Sequence, residues 1–443
     1  AFSPVHAAPI ERTFPAGLEK MKGSSEVLLA ASQREETRRE ALSAARGLYW
    51  PQINARTRFT MMDDPLAIDL NPIRQAMVKL HPAAASALPD FYLEVQDRSF
   101  WRSEIEMAWP IFTGGRITAA NRSAQAGVDE AAAQSERSRQ RLTSELVGRY
   151  FGLQVSLRVL DIRRETLREL TEHLRQATRL EQEGMIARAE RLHAEVAYAE
   201  AEREVQGAVK DVEIAQIALA DLVGGTETYT PTSPLFVIPE LASLASLREE
   251  IGERHPLRRE AAAKRRQAEE TRKAELSKRL PEVHLFGLRE LSRSDLTVLD
   301  PSWAVGVGAS LTLFDGGTRR HRIQAARGIV KEAVLLEQQL QKELSLLAEK
   351  KYRELQKARE RFVALQASVG LGVENLRTRR LAFREGLATS LDVVAAERSL
   401  SGIRAERLRA ALAFDVALAE YLEACGQADR FEMFRSAAVE EVY

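Results

Sequence analysis

Polar and apolar residues alternate with period two in four stretches of the chain. In residues 101–112, Trp101, Ile105, Met107, Trp109 and Ile111 fall on one face, with Ser103 the exception. Arg102, Glu104 and Glu106 fall on the other. Residues 51–61 set Ile53, Ala55, Phe59 and Met61 against Gln52, Asn54, Arg56, Arg58 and Thr60. Residues 303–314 set Trp303, Val305, Val307, Ala309, Leu311 and Leu313 against Ala304, Gly306, Gly308, Ser310 and Thr312. Residues 281–291 alternate less cleanly, because Phe286 and Leu288 share a face with Glu282 and His284. Such alternation predicts strands with one apolar face. They form two hairpins, 51–112 and 281–314. The first holds a long loop at 62–91, where Asp63-Asp64-Pro65, Asn71-Pro72, His81-Pro82 and Pro89-Asp90 mark turns. A short helix over 72–79 is expected inside it.

The rest of the chain follows a helical period. Residues 116–183 and 318–385 contain no proline, and each would run about 100 Å as one helix at ~1.5 Å per residue. Ala326, Val330, Ala333, Leu340, Leu344 and Leu347 recur at the three-four spacing of a coiled-coil stripe. Gly184 and Gly386 end these helices, and returning helices are predicted over 187–223 and 389–424. Shorter helices, 25–49 and 256–278, lead into the hairpins.

An internal repeat organises these elements. Trp101 and Trp303, Gly184 and Gly386, and Gly224 and Gly426 are each 202 residues apart. Three landmarks at one offset identify two copies of one unit. The Trp50-Pro51-Gln52-Ile53 and Leu280-Pro281-Glu282-Val283 segments are offset by 230 instead, and the excess falls in the 62–91 loop. The organisation is then an amino-terminal segment with helices (1–50), a hairpin (51–112), a long and a returning helix (113–223) and a linker (224–239). The second copy follows with helices (240–280), a hairpin (281–314), a long and a returning helix (315–424) and a tail (425–443).

The strands are about 10 to 12 residues long, the length a tilted membrane-crossing strand needs rather than the about 5 to 6 of a soluble one. Trp101 and Trp109 stand eight residues apart on the apolar face. That is roughly 27 Å at ~3.4 Å per residue, close to the ~25 Å apolar band of an outer-membrane barrel. Trp101, Trp109 and Trp303 are the candidate aromatic girdle. A long amphipathic hairpin on a soluble core is the competing reading. Four strands cannot close a barrel, and open edges are not tolerated in lipid, so several chains would share one: two give eight strands, three give twelve.

Composition adjusts this picture. Lys+Arg and Asp+Glu are equal at 64 each, which argues against a nucleic-acid binder. One cysteine, Cys425, excludes an internal disulfide framework and a cysteine-based zinc site. The seven histidines are scattered, and we expect them to be solvated or lumenal. No apolar run of 18 residues is present, which excludes a helical crossing only. Val5-His6-Ala7 has the spacing of a signal-peptidase site, the expected trace of a cleaved leader. Gly114-Gly115 and Gly316-Gly317 lack the lysine of a phosphate loop and are read as strand-to-helix turns. No cofactor, metal site or enzymatic chemistry is expected.

These residues resemble the TolC family of outer-membrane efflux and secretion channels, over about residues 19–426. The carriers are Trp50-Pro51-Gln52-Ile53, Phe112-Thr113-Gly114-Gly115-Arg116, Phe314-Asp315-Gly316-Gly317-Thr318, and the segment Phe383-Arg384-Glu385-Gly386-Leu387-Ala388-Thr389-Ser390-Leu391-Asp392-Val393. The resemblance implies a mainly α fold with a small membrane β part. Long antiparallel helices form a periplasmic α-barrel, and a homotrimer contributes four strands per chain to a shared β-barrel in outer-membrane lipid. It implies a passive duct from periplasm to exterior, partnered by a periplasmic adaptor and an inner-membrane pump of RND or ABC type. A soluble coiled-coil scaffold or adaptor is the rival. The implied adaptor contacts are the helix tips, at Glu183, Gly184, Met185, Glu385, Gly386, Leu387 and Ala388. The implied pore gate uses Asp392, Glu190 and Phe383. The spacing Thr389-x-x-Asp392 is also that of a capping box, and the two roles of Asp392 are compatible. Ala395 and Ala388 replace a second acid and a gate-linking arginine of some family members.

Overall fold

The computed structural model describes residues 10–82, 89–225, 227–241, 246–247, 255–292, 301–436 and 440–442. The Val5-His6-Ala7 motif lies outside the described residues. The elements run β1 (Ile10–Arg12), α1 (Phe14–Ser24), α2 (Glu26–Gly47), β2 (Gln52–Met61), β3 (Leu66–Asp69), α3 (Asn71–Leu80), β4 (Tyr92–Gln96), β5 (Ser99–Phe112), α4 (Arg116–Gln182) and α5 (Arg188–Val223). There follow β6 (Tyr229–Pro231), β7 (Leu235–Val237), α6 (Pro256–Ser277), β8 (Glu282–Glu290), β9 (Trp303–Ser310), α7 (Thr318–Arg384), α8 (Ser390–Ala424), α9 (Phe431–Ser436) and β10 (Glu440–Val442). The two proline-free stretches are single helices of 67 residues each, ending where the glycines end them.

The chain divides into two compact units. One comprises residues 37–128 and 264–334. Its centre is an antiparallel sheet in the order β2-β5-β8-β9. The ladders pair Arg56 with Glu104, Glu106 with Leu288 and Phe286 with Gly306, so the alternating faces stay in phase across the sheet. The last strand ends at Ser310, short of the expected Phe314. The long loop carries the expected helix α3 and also an unforeseen hairpin, β3 on β4. Helix ends meet strand ends through specific contacts. Asn121 Nδ2 donates to the Ala45 carbonyl (2.7 Å), Trp109 Nε1 to the Tyr49 carbonyl (2.9 Å), and Arg319 Nη1 to the Lys278 carbonyl (3.1 Å). Gly114 has φ 61°, and a Cβ there would lie 2.7 Å from the Ser277 carbonyl oxygen. Both the left-handed turn and the close approach require glycine.

The other unit comprises residues 1–36, 129–263 and 335–443. Its core is aromatic: Phe14, Tyr150, Phe151, Phe236, Phe414 and Phe431 are all fully buried. Tyr150 organises the surrounding backbone. Its hydroxyl donates to the Arg12 carbonyl (2.7 Å) and accepts from the amides of Thr232 and Ser233 (3.0 Å each). Segments expected to be a linker and a tail are therefore structural. β6 pairs in parallel with β1, and β7 pairs antiparallel with β10. Tyr229, Leu235, Phe236 and Val237 of the former linker belong to the core. Two histidines expected to be solvated, His173 and His255, are also buried.

Candidate functional site

Two features of the structure are organised for something other than self-stability. The first is the sheet, whose burial is inverted. Ile53, Trp101, Trp303, Val305 and Val307 are 58–70% exposed, on the face that carries no counter-layer. On the opposite face the carboxylates Glu104 and Glu290 are sheltered, at 15% and 5%, while Arg56 on the outer strand is exposed. Arg56 bridges Glu106 (3.0 Å) and Glu104 (3.5 Å), and Arg102 lies 3.8 Å from Glu290. On the same face the rings of His284 and Phe286 lie over Gly308 and Gly306, where a Cβ would come within 2.6–2.7 Å of them. A half-solvated sheet in water shows the reverse arrangement. Both outer strands, β2 and β9, keep one unpaired edge. Among the aromatics, Trp101 contacts Phe59 (5.2 Å between centroids), Trp109 is tied to the α2–β2 junction, and Trp303 opens β9.

The second is the pair of helix tips. Both long helices end in the same Schellman turn. Gly184 (φ 71°) and Gly386 (φ 70°) are left-handed. Met185 N reaches the Leu180 carbonyl and Leu387 N the Ala382 carbonyl, each at 2.8 Å. Glu183 and Glu385 are exposed in these turns, and Met185 and Leu387 are 67% and 83% exposed, while Ala388 is half-buried. Thr389 and Asp392 form the reciprocal capping box: Thr389 N and Oγ1 donate to Asp392 Oδ2 (3.0 and 2.7 Å), and Asp392 N donates back to Thr389 Oγ1 (3.2 Å). Arg379 stands 3.5 Å from the Asp392 carboxylate. The Thr389 amide, and then its hydroxyl and Arg379, hold the Asp392 carboxyl below its ordinary range, so it is charged at neutral pH.

Behind the cap lies a cluster that joins four helices. Glu190 of α5 accepts from the Ser390 amide (2.7 Å). His173 of α4 shares a hydrogen bond with the Ser390 hydroxyl (2.8 Å). Phe383 of α7 packs on the His173 ring at 4.9 Å and is only 4% exposed, so it fills the tip of the helix pair. Arg380 of α7 donates to Glu169 of α4 and Glu397 of α8, both at 2.7 Å. Burial lowers His173 to a pKa of about 4, reinforced by Arg380 and opposed by Glu190. Burial raises Glu397, against the pull of Arg380. No role was assigned from the sequence to His173 or Arg380, and Ser390 entered only as part of the tip motif. Leu170, His173 and Ala177, all buried, do stand at helical spacing, and that stripe was the available signal. Among the described residues no cluster of His, Cys, Asp and Glu gathers at metal-binding distance, and no helix is long and apolar enough to cross a membrane.

Known proteins with this fold carry the same elements. The sequence profile described as outer membrane efflux protein matches residues 18–225 and 247–427. Protein CyaE of Bordetella pertussis is 30% identical over 273 residues, which take in 58% of this chain and 56% of that protein, so the chain spans about half the length of the curated relative it matches. The solved structure of CusC superposes with a TM-score of 0.77 at 15% identity, covering 96% of this chain and 95% of that one. The outer membrane protein VceC of Vibrio cholerae superposes with 0.73 at 17% identity, covering 94% and 96%. The mainly helical fold with a few strands expected from the sequence is the fold of these channels, which are not enzymes. The match over both repeats places this chain in the outer membrane efflux protein family.

Proposed function

We propose that this chain is one subunit of a trimeric channel in the outer membrane, a passive duct that serves a tripartite efflux or secretion system. The inverted sheet carries the reading. Its exposed apolar face matches lipid, its charged face matches a water-filled lumen, and its two open edges require neighbouring copies. Three copies supply twelve strands. The exposed helix stripes, such as Leu346 and Leu371 of α7 and Ile214 and Ile217 of α5, would be covered in the same assembly. The two tips would meet a periplasmic adaptor through Met185 and Leu387, and an inner-membrane pump of RND or ABC type would supply the energy. Three Asp392 carboxylates near one axis would form a cation-selective constriction, with Glu190 supporting the same end of the helices.

Edge-strand crosslinking tests the assembly. In a Cys425→Ser background, cysteine pairs placed along Gln52–Met61 and Trp303–Ser310 should give a ladder that stops at three subunits in detergent micelles. A ladder ending at two, or no crosslinks with a monomer free of detergent, rejects the reading. For the constriction, Asp392→Ala in planar bilayers should weaken block by multivalent cations; unaltered block and conductance would remove Asp392 from the pore.

A further inference from the structure

Each of the four strand–helix crossings carries the same pair of groups: an exposed apolar residue and, one to ten positions along on the helix side, an exposed arginine. The pairs are Trp50 with Arg46, Phe112 with Arg122, Leu280 with Arg279, and Phe314 with Arg320. Phe314 is 87% exposed and Trp50 72%. The crossings form one layer, since the α2, α4, α6 and α7 ends are linked pairwise by the contacts of Asn121, Gly114 and Arg319. Over residues 41–50, 113–127, 276–281 and 315–330 the chain places nine Lys or Arg and one acid, Asp315. Arg116, Lys278 and Arg319 are engaged with Glu282, Glu275 and Asp315. Among the described residues, Arg46, Arg122, Arg279, Arg320 and Arg322 have no carboxylate partner.

The dipole favours Arg46 at the carboxyl end of α2 and Arg279 just beyond that of α6, but helix stability does not account for the arginines that open α4 and α7. α4 and α7 begin with no acid in the first turn, although the helix dipole favours anions there and disfavours arginine. Nor is the opposite end of the sheet alike, since residues 62–98 beyond it hold six acids, among them Asp63, Asp64, Asp69 and Asp90, against three cations, Arg74, Lys79 and Arg98. The net positive charge lies at the end where the apolar band meets the helices.

We propose that this layer binds the anionic phosphodiester headgroups of phospholipids in the leaflet on the helix side, each acyl chain lying on the exposed apolar residue of its crossing. The inference rests on the membrane reading of the sheet. Charge complementarity and continuity with the apolar band select the occupant: a guanidinium fork matches a phosphate in two hydrogen bonds, and a ring at the interface seats the glycerol end of the chain. Each arginine near an anionic surface contributes about a fivefold increase in binding at low salt.

The test compares phosphatidylglycerol with phosphatidylcholine retained on the detergent-purified assembly by native mass spectrometry, and follows reconstitution into vesicles of each. The unmodified protein should prefer phosphatidylglycerol by at least about tenfold. The combined variant Arg46→Gln, Arg122→Gln, Arg279→Gln and Arg320→Gln should lose that preference while still inserting into pure phosphatidylcholine. The matching Arg→Lys variant, which keeps charge and fold, should retain part of it. Equal retention of both lipids by the unmodified protein overturns the proposal, as does an intact preference in the Gln variant. A Gln variant with unchanged lipid preference but altered ion selectivity would assign the arginines to the lumen. Failure of the unmodified protein to enter either vesicle would instead reject the membrane reading on which the proposal stands.

Discussion

The turns at Gly184 and Gly386 share one backbone and differ in what holds the following helix. Positions 187 and 190 of the first repeat correspond, at the 202-residue offset, to positions 389 and 392 of the second. In the second repeat these are Thr389 and Asp392, which cap α8 reciprocally. In the first they are Ala187 and Glu190, and Ala187 provides no side-chain cap for α5. Glu190, without a hydroxyl to engage at its own helix start, reaches across to the Ser390 amide instead. The α8 start is thus held by two carboxylates and by His173, whereas the α5 turn is braced by the Arg191–Glu181 ion pair (2.6 Å). Duplication kept the turn, which glycine and backbone hydrogen bonds dictate, and let the polar groups around it diverge. The outcome is one firmly anchored tip and one looser tip.

The largest perturbation of that difference is at Arg380. Glu397 is 8% exposed on its side chain and depends on this guanidinium. Removing one partner of a buried pair leaves an uncompensated charge, so Arg380→Met should cost about 3 kcal/mol of local stability. Hydrogen exchange across residues 390–400 should then accelerate by about a hundredfold. The amides of 191–200 in α5 should change little, and equal acceleration in both helices would show that the two tips open as one. The variant Arg398→Met removes an exposed pair with Glu200 and serves as the comparison, with an expected cost of about 0.5 kcal/mol or less.

Acidification should act on the same anchored tip. The folded pKa of His173 is about 4, below its ordinary 6.5, so the native state holds the neutral ring. Its contribution is complete above pH 6.5 and is lost as pH falls from 6.5 to about 4, by up to about 3 kcal/mol. Glu397, raised by burial, works in the opposite direction, because a carboxyl more readily protonated in the folded state favours that state as pH falls. The difference between the unmodified protein and His173→Gln isolates the histidine. Exchange at 390–397 should steepen between pH 6.5 and 4 in the former and lose that component in the latter. Parallel pH profiles would mean that the ring does not titrate in this range.

What the sequence disclosed and what it withheld divide along the range of the interactions. The strands, both 67-residue helices and both tips are written in local periodicity and in glycines that must turn left-handed, so their limits fall within one or two residues, except where β9 stops at Ser310. The Thr389-x-x-Asp392 box is local and was equally legible. The role of residues 224–239 was hidden, because β6 and β7 are three residues each and find their partners at the two ends of the chain. The burial of Phe383 shows the same limit: the ring it packs on, His173, is 210 positions away, and no spacing announces that contact.

Smaller effects come from exchanging the caps themselves. Thr389→Ala gives α8 the start that α5 has and should cost about 1 kcal/mol. The reverse change is the more discriminating one, although its net effect on stability is the smallest. Ala187 already has extended backbone (φ −72°, ψ 150°), the geometry of a capping residue, so Ala187→Thr needs no rearrangement. A threonine there restores the S/T-x-x-E spacing with Glu190. Glu190 must then choose between the new reciprocal cap on α5 and the Ser390 amide. A gain of about 1 kcal/mol at α5 would be offset by a similar loss at α8, leaving overall melting nearly unchanged. The two helix starts should nevertheless move in opposite directions in hydrogen exchange, slower at 188–191 and faster at 390–393. Slowing at α5 with no change at α8 would mean that the Glu190–Ser390 bond contributes nothing, and that the anchored tip is held by Asp392 and His173 alone.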